Sequence, residues 1–222
     1  MLSLVIAESA LELVPKELQN HNSVLASARR FNKKPSEILL DVSWHFAAMK
    51  KIKNEIKRGR PDLVHFCLLE ACSIPIYFEN RLQVFMHTVD DMAIFFDKSV
   101  RLPKSYHRFA GLVEKLYSEG KIEENGKKLL EIKEMNFGDL IKKISPKRVI
   151  GLSSKGTLSS YQQLAEETDK DTCIVVGGFA KGQFSDDTKK YFDKMISVDK
   201  SPLEAHIIIS RILYECEKRI IM

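Results

Sequence analysis

Cys173-Ile-Val-Val-Gly-Gly-Phe-Ala-Lys-Gly182 is the stretch on which the fold turns. An apolar run this short, bounded by Asp and Gly, reads as a central strand. The glycines behind it let the backbone approach a ligand closely. Two further runs share the pattern. Arg148–Leu152 continues into Leu152-Ser-Ser-Lys-Gly156, and Met195–Val198 continues towards Ser201-Pro-Leu203. Helical stretches at Ser159–Glu167 and Ser185–Asp193 separate the three strands. A closing helix carries Ala205, Ile208, Ile209, Ile212, Leu213 and Cys216 at helical spacing. Strand and helix alternate with short links, which predicts an α/β fold with a mostly parallel sheet. Three small, polar loops at three strand ends, two of them bearing glycine, then converge on one crevice, a small-molecule site. Any one loop taken alone fits a tight turn equally well, because neither G-x-G-x-x-G nor G-x-x-x-x-G-K-[ST] is present.

Outward from this core, Ser3–Ala7 reads as a buried strand. Ile38, Val42, Phe46, Met49, Ile52 and Ile56 step by three or four and predict one helix that Gly59 breaks. Pro61 suits the first turn of a second helix running towards Pro75, with Asp62 near its positive end. Leu82–His87 and Met92–Phe96 read as strands. Pro103 opens a third helix whose core stripe is Phe109, Leu112, Val113, Leu116 and Tyr117. The chain thus reads as one α/β domain with a mostly helical N-terminal elaboration.

The composition agrees. A chain of 222 residues, 44% hydrophobic and 29% charged, is ordinary for one generous globular domain. No apolar run approaches the roughly 20 residues of a membrane span. Ser3–Ala7 lacks a basic leader and does not read as a signal peptide. The four cysteines form no C-x-x-C pair and read as reduced, buried thiols. The six histidines are scattered without H-E-x-x-H, so no metal is expected. No G-x-S-x-G supports a serine hydrolase, and Ser197-x-x-Lys200 is too short a pattern to carry one.

The net charge of +5 is unevenly spread. Residues 41–60 hold six Lys/Arg against two acids, whereas residues 61–96 hold one base against five acids. Arg101, Lys104 and Arg108 would line one helical face if that helix begins near Pro103, beside the apolar stripe rather than opposite it. Such a stripe fits phosphate binding or a plain solvated edge. Arg60 and Asp62 flank Pro61 and fit a simple salt pair as well as a site. Trp44 fits packing at a core edge and base stacking alike.

With these residues set out, the chain resembles the small-subunit ribosome-biogenesis methyltransferases of archaea and eukaryotes, members of the SPOUT superfamily. The likeness runs nearly end to end. Its most specific stretches are Arg58-Gly-Arg-Pro-Asp-Leu-Val-His65, Gln83-Val-Phe-Met-His-Thr-Val-Asp90 and Arg101-Leu-Pro-Lys-Ser-Tyr-His-Arg-Phe-Ala-Gly-Leu112. The resemblance implies a single domain over residues 1–222. Within it, about 10–120 would be an RNA-binding elaboration and about 145–222 a cofactor-binding deep trefoil knot. It implies S-adenosylmethionine-dependent methylation of nitrogen-1 of a pseudouridine in small-subunit rRNA. The implied cofactor contacts are Leu152, Gly177, Gly178, Gly182, Ile196, Ser197, Val198 and Leu203. The implied RNA contacts are Arg60, Asp62, Arg101, Lys104 and Arg108, with Asp62 also the catalytic candidate that orients the base or accepts its proton. Lys104 departs from the arginine of many relatives and loses bidentate phosphate geometry. A homodimer and ribosome-assembly proteins are the implied partners, with no membrane or metal. The implied location is cytoplasmic in an archaeon and nucleolar in a eukaryote. The competing reading is a pre-rRNA-binding assembly factor in which methylation is secondary or absent. A SPOUT enzyme acting on tRNA fits less well with the N-terminal part and the Arg101–Leu112 stretch.

Overall fold

Every residue of the first strand, β1 (Leu2–Ser9), is buried, because it lies inside an eight-stranded sheet in the computed structural model, which describes residues 1–50 and 52–220. The chain continues through α1 (Asn22–Phe31), α2 (Val42–Met49), α3 (Pro61–Cys72) and α4 (Pro75–Phe78) to β2 (Leu82–Thr88) and β3 (Met92–Phe96). Next come α5 (Tyr106–Glu119), β4 (Lys121–Glu124), β5 (Lys127–Glu134) and α6 (Phe137–Ile144). The last third holds β6 (Arg148–Leu158), α7 (Tyr161–Glu167), β7 (Thr172–Gly177), α8 (Asp186–Lys189), β8 (Lys194–Ser197) and α9 (Ala205–Ile220).

The strand order is β4-β5-β3-β2-β1-β7-β6-β8. The four pairings from β2 to β8 are parallel and the three at the other edge are antiparallel, so the sheet is mostly parallel as expected. A central strand covered on both faces must be apolar nearly throughout. Alternation still assigns its sides. Leu2, Leu4 and Ile6 join the core beneath α3, α5 and α9, whereas Val5 and Ala7 join Phe137, Leu140 and Phe184 on the other face. A satellite core of Val24, Ala28, Leu40, Ala48 and Met49 holds α1 against α2.

Two local expectations need correction. The helix expected over Ile38–Ile56 is only α2. Leu39 instead bridges to Leu13, Asp41 caps α2 by accepting from the Ser43 N–H, and Asn54 turns the chain at φ 59°. The helix expected from Pro103 begins at Tyr106. Helices predominate between residues 10 and 120, as expected, and the two expected strands of that part, β2 and β3, belong to the main sheet. Unread in the sequence, the β4–β5 hairpin turns on Asn125-Gly126, both at positive φ, a pairing that suits the twist of a two-residue hairpin loop.

Candidate functional site

The middle of β6, at Leu152–Ser154, and the carboxyl ends of β7 and β8 open into one crevice of about 460 Å³. Its lining draws on all three loops: Leu152 and Ser153, then Gly177, Phe179 and Gly182, then Ser197, Val198 and Leu203. Ala205 and Ile208 at the start of α9 close one side. Two side-chain bonds stiffen the rim. The Ser153 hydroxyl donates to Gln183 Oε1 at 2.7 Å, and the Ser197 hydroxyl donates to the Asp199 carbonyl at 2.7 Å. The volume suits a small organic ligand, and the mix of apolar slots with hydroxyl and backbone groups suits a flat ring carrying polar edges.

Six of the eight expected cofactor residues line this space: Leu152, Gly177, Gly182, Ser197, Val198 and Leu203. Gly178 and Ile196 stand behind it. Gly178 is clamped against β1, where its N–H donates to the Ala7 carbonyl and its carbonyl accepts from the Ala10 N–H, both at 2.8 Å. A Cβ there would sit 2.8 Å from Ser9 Cα. Glycine is required at 178 for close packing of the loop on the first strand. Ile196 is fully buried in the core, in register with both Leu152 and Thr157. Residues 153–156 therefore leave the ladder and rejoin it, and Gly156 crosses so close that a Cβ would lie 2.5 Å from the Ile196 carbonyl carbon.

A second set of groups ties this crevice to the arginine loop. Glu8, at φ 49°, ends β1 in a conformation that non-glycine residues adopt only when their surroundings impose it. Its carboxylate accepts from Lys57 Nζ at 2.5 Å and from the Ser185 N–H and hydroxyl at 2.8 Å each. Burial alone would raise the Glu8 carboxyl, and these bonds outweigh it and hold the group below its ordinary value. Lys57 also lies 4.6 Å from the centre of the Phe179 ring, which lines the crevice. Next along the chain, Arg58 grips the buried Glu12 carboxylate through two bonds of 2.7 and 2.5 Å. The Arg60 N–H then donates to the Ala10 carbonyl. The loop 57–60 is thus pinned to the same turn that Gly178 packs on.

Pro61 occupies the first turn of α3, as its fixed φ favours. Arg60 and Asp62 form a half-exposed bidentate pair, Nε to Oδ1 at 2.8 Å and Nη2 to Oδ2 at 3.0 Å. Burial alone would raise the Asp62 carboxyl, but the Arg60 bonds override it and hold it below the ordinary carboxylate value. The field of Glu204, beside Leu203 at the crevice, also acts on Arg60.

The cationic stripe takes a different form from the one expected. Because α5 starts at Tyr106, Arg101 and Lys104 sit on the preceding loop and only Arg108 is helical. The loop is held by His65, whose Nε2 bonds the Pro103 carbonyl at 2.7 Å and whose ring stacks on Phe109 at 4.4 Å. Tyr106 donates to Asp41 Oδ2, joining the start of α5 to the cap of α2. Arg101, Lys104 and Arg108 are exposed, and none forms an ion pair among the described residues. Arg101 lies over the Phe78 ring at 4.6 Å.

Among the described residues no group of three or more His, Cys, Asp or Glu is placed to hold a metal. The four thiols are free and buried, and burial pushes those of Cys72 and Cys173 up to about 12, so they do not serve as nucleophiles. Among the described residues no helix is long and apolar enough to cross a membrane. Sequence reasoning missed Phe179, Gln183, Glu8 and Lys57. Phe179 stood inside the glycine cluster, where its type was the available signal. Glu8 and Lys57 meet only through the fold.

Comparison with known proteins bears on the same residues. The family described as EMG1/NEP1 methyltransferase matches residues 4–217. The "Ribosomal RNA small subunit methyltransferase Nep1" of Staphylothermus marinus is 39% identical over 218 residues, covering 97% of this chain and 95% of its own. The protein of the same name from Thermococcus onnurineus is 38% identical, with 98% of each chain covered. The crystal structure of Archaeoglobus fulgidus Nep1 bound to S-adenosylhomocysteine superposes with a TM-score of 0.87 at 33% identity, covering 97% of both chains.

Proposed function

The chain belongs to the EMG1/NEP1 methyltransferase family, and from that premise we propose that it methylates small-subunit rRNA with S-adenosylmethionine, at nitrogen-1 of a pseudouridine. The observation that carries this reading is the crevice built on β6, β7 and β8, joined through Glu8 and Lys57 to an arginine loop on α3. When bound, S-adenosylmethionine supplies an electrophilic methyl group. Leu152, Gly177, Gly182, Ser197, Val198 and Leu203 would hold it, with Gly178 and Ile196 shaping the loops from behind. Arg101, Lys104 and Arg108 offer exposed cations to RNA phosphates, which makes binding salt-sensitive. Alignment is then the main demand on the protein, since holding two reactants in geometry supplies much of the rate.

Asp62 orients rather than accepts. A carboxylate held below its ordinary value by Arg60 is a poor proton acceptor, and its two oxygens fix the guanidinium in place. The trefoil knot belongs to this proposal and is supported by the excursion of residues 153–156 around Ile196. A homodimer also belongs to it, supported by the exposed apolar Phe66, Phe78 and Tyr214 on α3, α4 and α9. The chain would act where its RNA resides, in the cytoplasm of an archaeon or the nucleolus of a eukaryote.

The test uses labelled S-adenosylmethionine and small-subunit rRNA that carries the target pseudouridine but lacks its methyl group, with large-subunit rRNA as control. Wild type should label only the former. Asp62→Asn should weaken RNA binding about tenfold while leaving the single-turnover rate at saturating RNA unchanged. Label on the large-subunit RNA alone contradicts the substrate, and slowed chemistry at unchanged affinity makes Asp62 the proton acceptor.

A further inference from the structure

Outside the crevice and the arginine loop, α1 and α2 present a face that neither uses. Phe31 and Trp44 are each 38% exposed, a costly arrangement for two aromatic side chains in one small patch, while Phe46, two residues on, stands on the other flank of α2. Phe31 meets Trp44 edge-on at 5.6 Å. Arg30 lies 4.8 Å from the Trp44 ring centre and Lys50 lies 5.7 Å from that of Phe46. Residues 22–53 carry seven Lys/Arg against two acids. Both acids are occupied: Glu37 closes a box with Lys34, and Asp41 caps α2 and accepts from Tyr106. Arg30 and Lys50 form no ion pair with a carboxylate among the described residues.

The face is continuous with the RNA-facing loops. The Val42 N–H donates to the Gly59 carbonyl at 2.9 Å, next to Arg60, and Asp41 binds the first residue of α5, two positions before Arg108. At about 1.5 Å of rise per residue, Trp44 stands one helical turn or less from that junction.

We propose that Trp44 and Phe31, flanked by Arg30, form a stacking platform for unpaired RNA flanking the target nucleotide. Aromatic rings interleaved with cations are what single-stranded nucleic acid requires, since every base has a face to stack and every nucleotide a phosphate. Charge disfavours a second copy of this chain, which would bring two basic faces together. The proposal rests on the rRNA reading above and extends it from the target base to its neighbours.

Trp44 is the only tryptophan in the chain, so its fluorescence reports this face directly. Two RNAs would carry the same target hairpin, one with unpaired flanks and one blunt. Quenching by the flanked RNA and not by the blunt one supports the platform. Trp44→Leu with Phe31→Ala should then weaken binding of the flanked RNA by about tenfold or more. Its affinity for S-adenosylhomocysteine should stay as in wild type, which also shows that the variant is folded. Fluorescence unmoved by either RNA while methyl transfer proceeds overturns the platform and leaves the face to a protein partner. Equal quenching by both RNAs overturns the assignment to flanking strands. Quenching by flanked RNA with no methyl transfer keeps the platform and overturns the enzymatic reading instead.

Discussion

Gly156→Ala is expected to destabilise the protein by about 3 kcal/mol or more and to abolish binding of S-adenosylhomocysteine. The added Cβ would lie 2.5 to 2.6 Å from backbone atoms of Met195 and Ile196, which cannot swing aside as a side-chain tip would. Residues 153–156 would have to shift, and Ser153 and Ser154 line the crevice. Gly111→Ala is the control. It lies within α5 with nothing inside 4 Å of the new methyl, so it should stabilise by about 0.5 to 1 kcal/mol. Urea midpoints with calorimetric titration of S-adenosylhomocysteine check both. A Gly156→Ala protein as stable and as tight-binding as wild type would mean that the close crossing does not shape the site.

Reversing Arg101 and Arg108 together to glutamate should weaken rRNA binding by about 100-fold and reduce the salt slope by about two. Both side chains are exposed, so folding should be little affected. Arg101 gives up only its bond to the Val100 carbonyl and its contact with Phe78. Affinity for S-adenosylhomocysteine should remain that of wild type. Filter binding across a salt series reads the effect. An unchanged slope would move the phosphate contacts elsewhere, whereas loss of cofactor binding would indicate a distorted fold.

The last third was legible because its strands are buried on both faces and end in glycine or serine, so composition and position agree. The crevice followed from the same loops. What escaped was set by contacts distant in sequence. Gly178 looked like a ligand glycine, yet its space is taken by Ser9, from a strand 169 residues earlier. Ile38–Ile56 kept helical spacing, but the bridge from Leu39 to Leu13 and the turn at Asn54 overrode it. Arg101 and Lys104 shared a helical period with Arg108 although the helix starts only after His65 has fixed the Pro103 carbonyl. Asn125-Gly126 was a readable hairpin signal, hidden by flanking strands whose many charges resemble a solvated helix.

The central claim is that a cofactor crevice and an arginine loop act together on one RNA nucleotide. Its most direct test is methyl transfer from labelled S-adenosylmethionine to two short hairpins that differ only in uridine or pseudouridine at the target, with products identified by nucleoside mass spectrometry. The account predicts transfer confined to the pseudouridine hairpin, with the methyl on the ring nitrogen that uridine does not offer. Tight binding of both hairpins with transfer to neither would contradict it and make the chain an RNA-binding assembly factor.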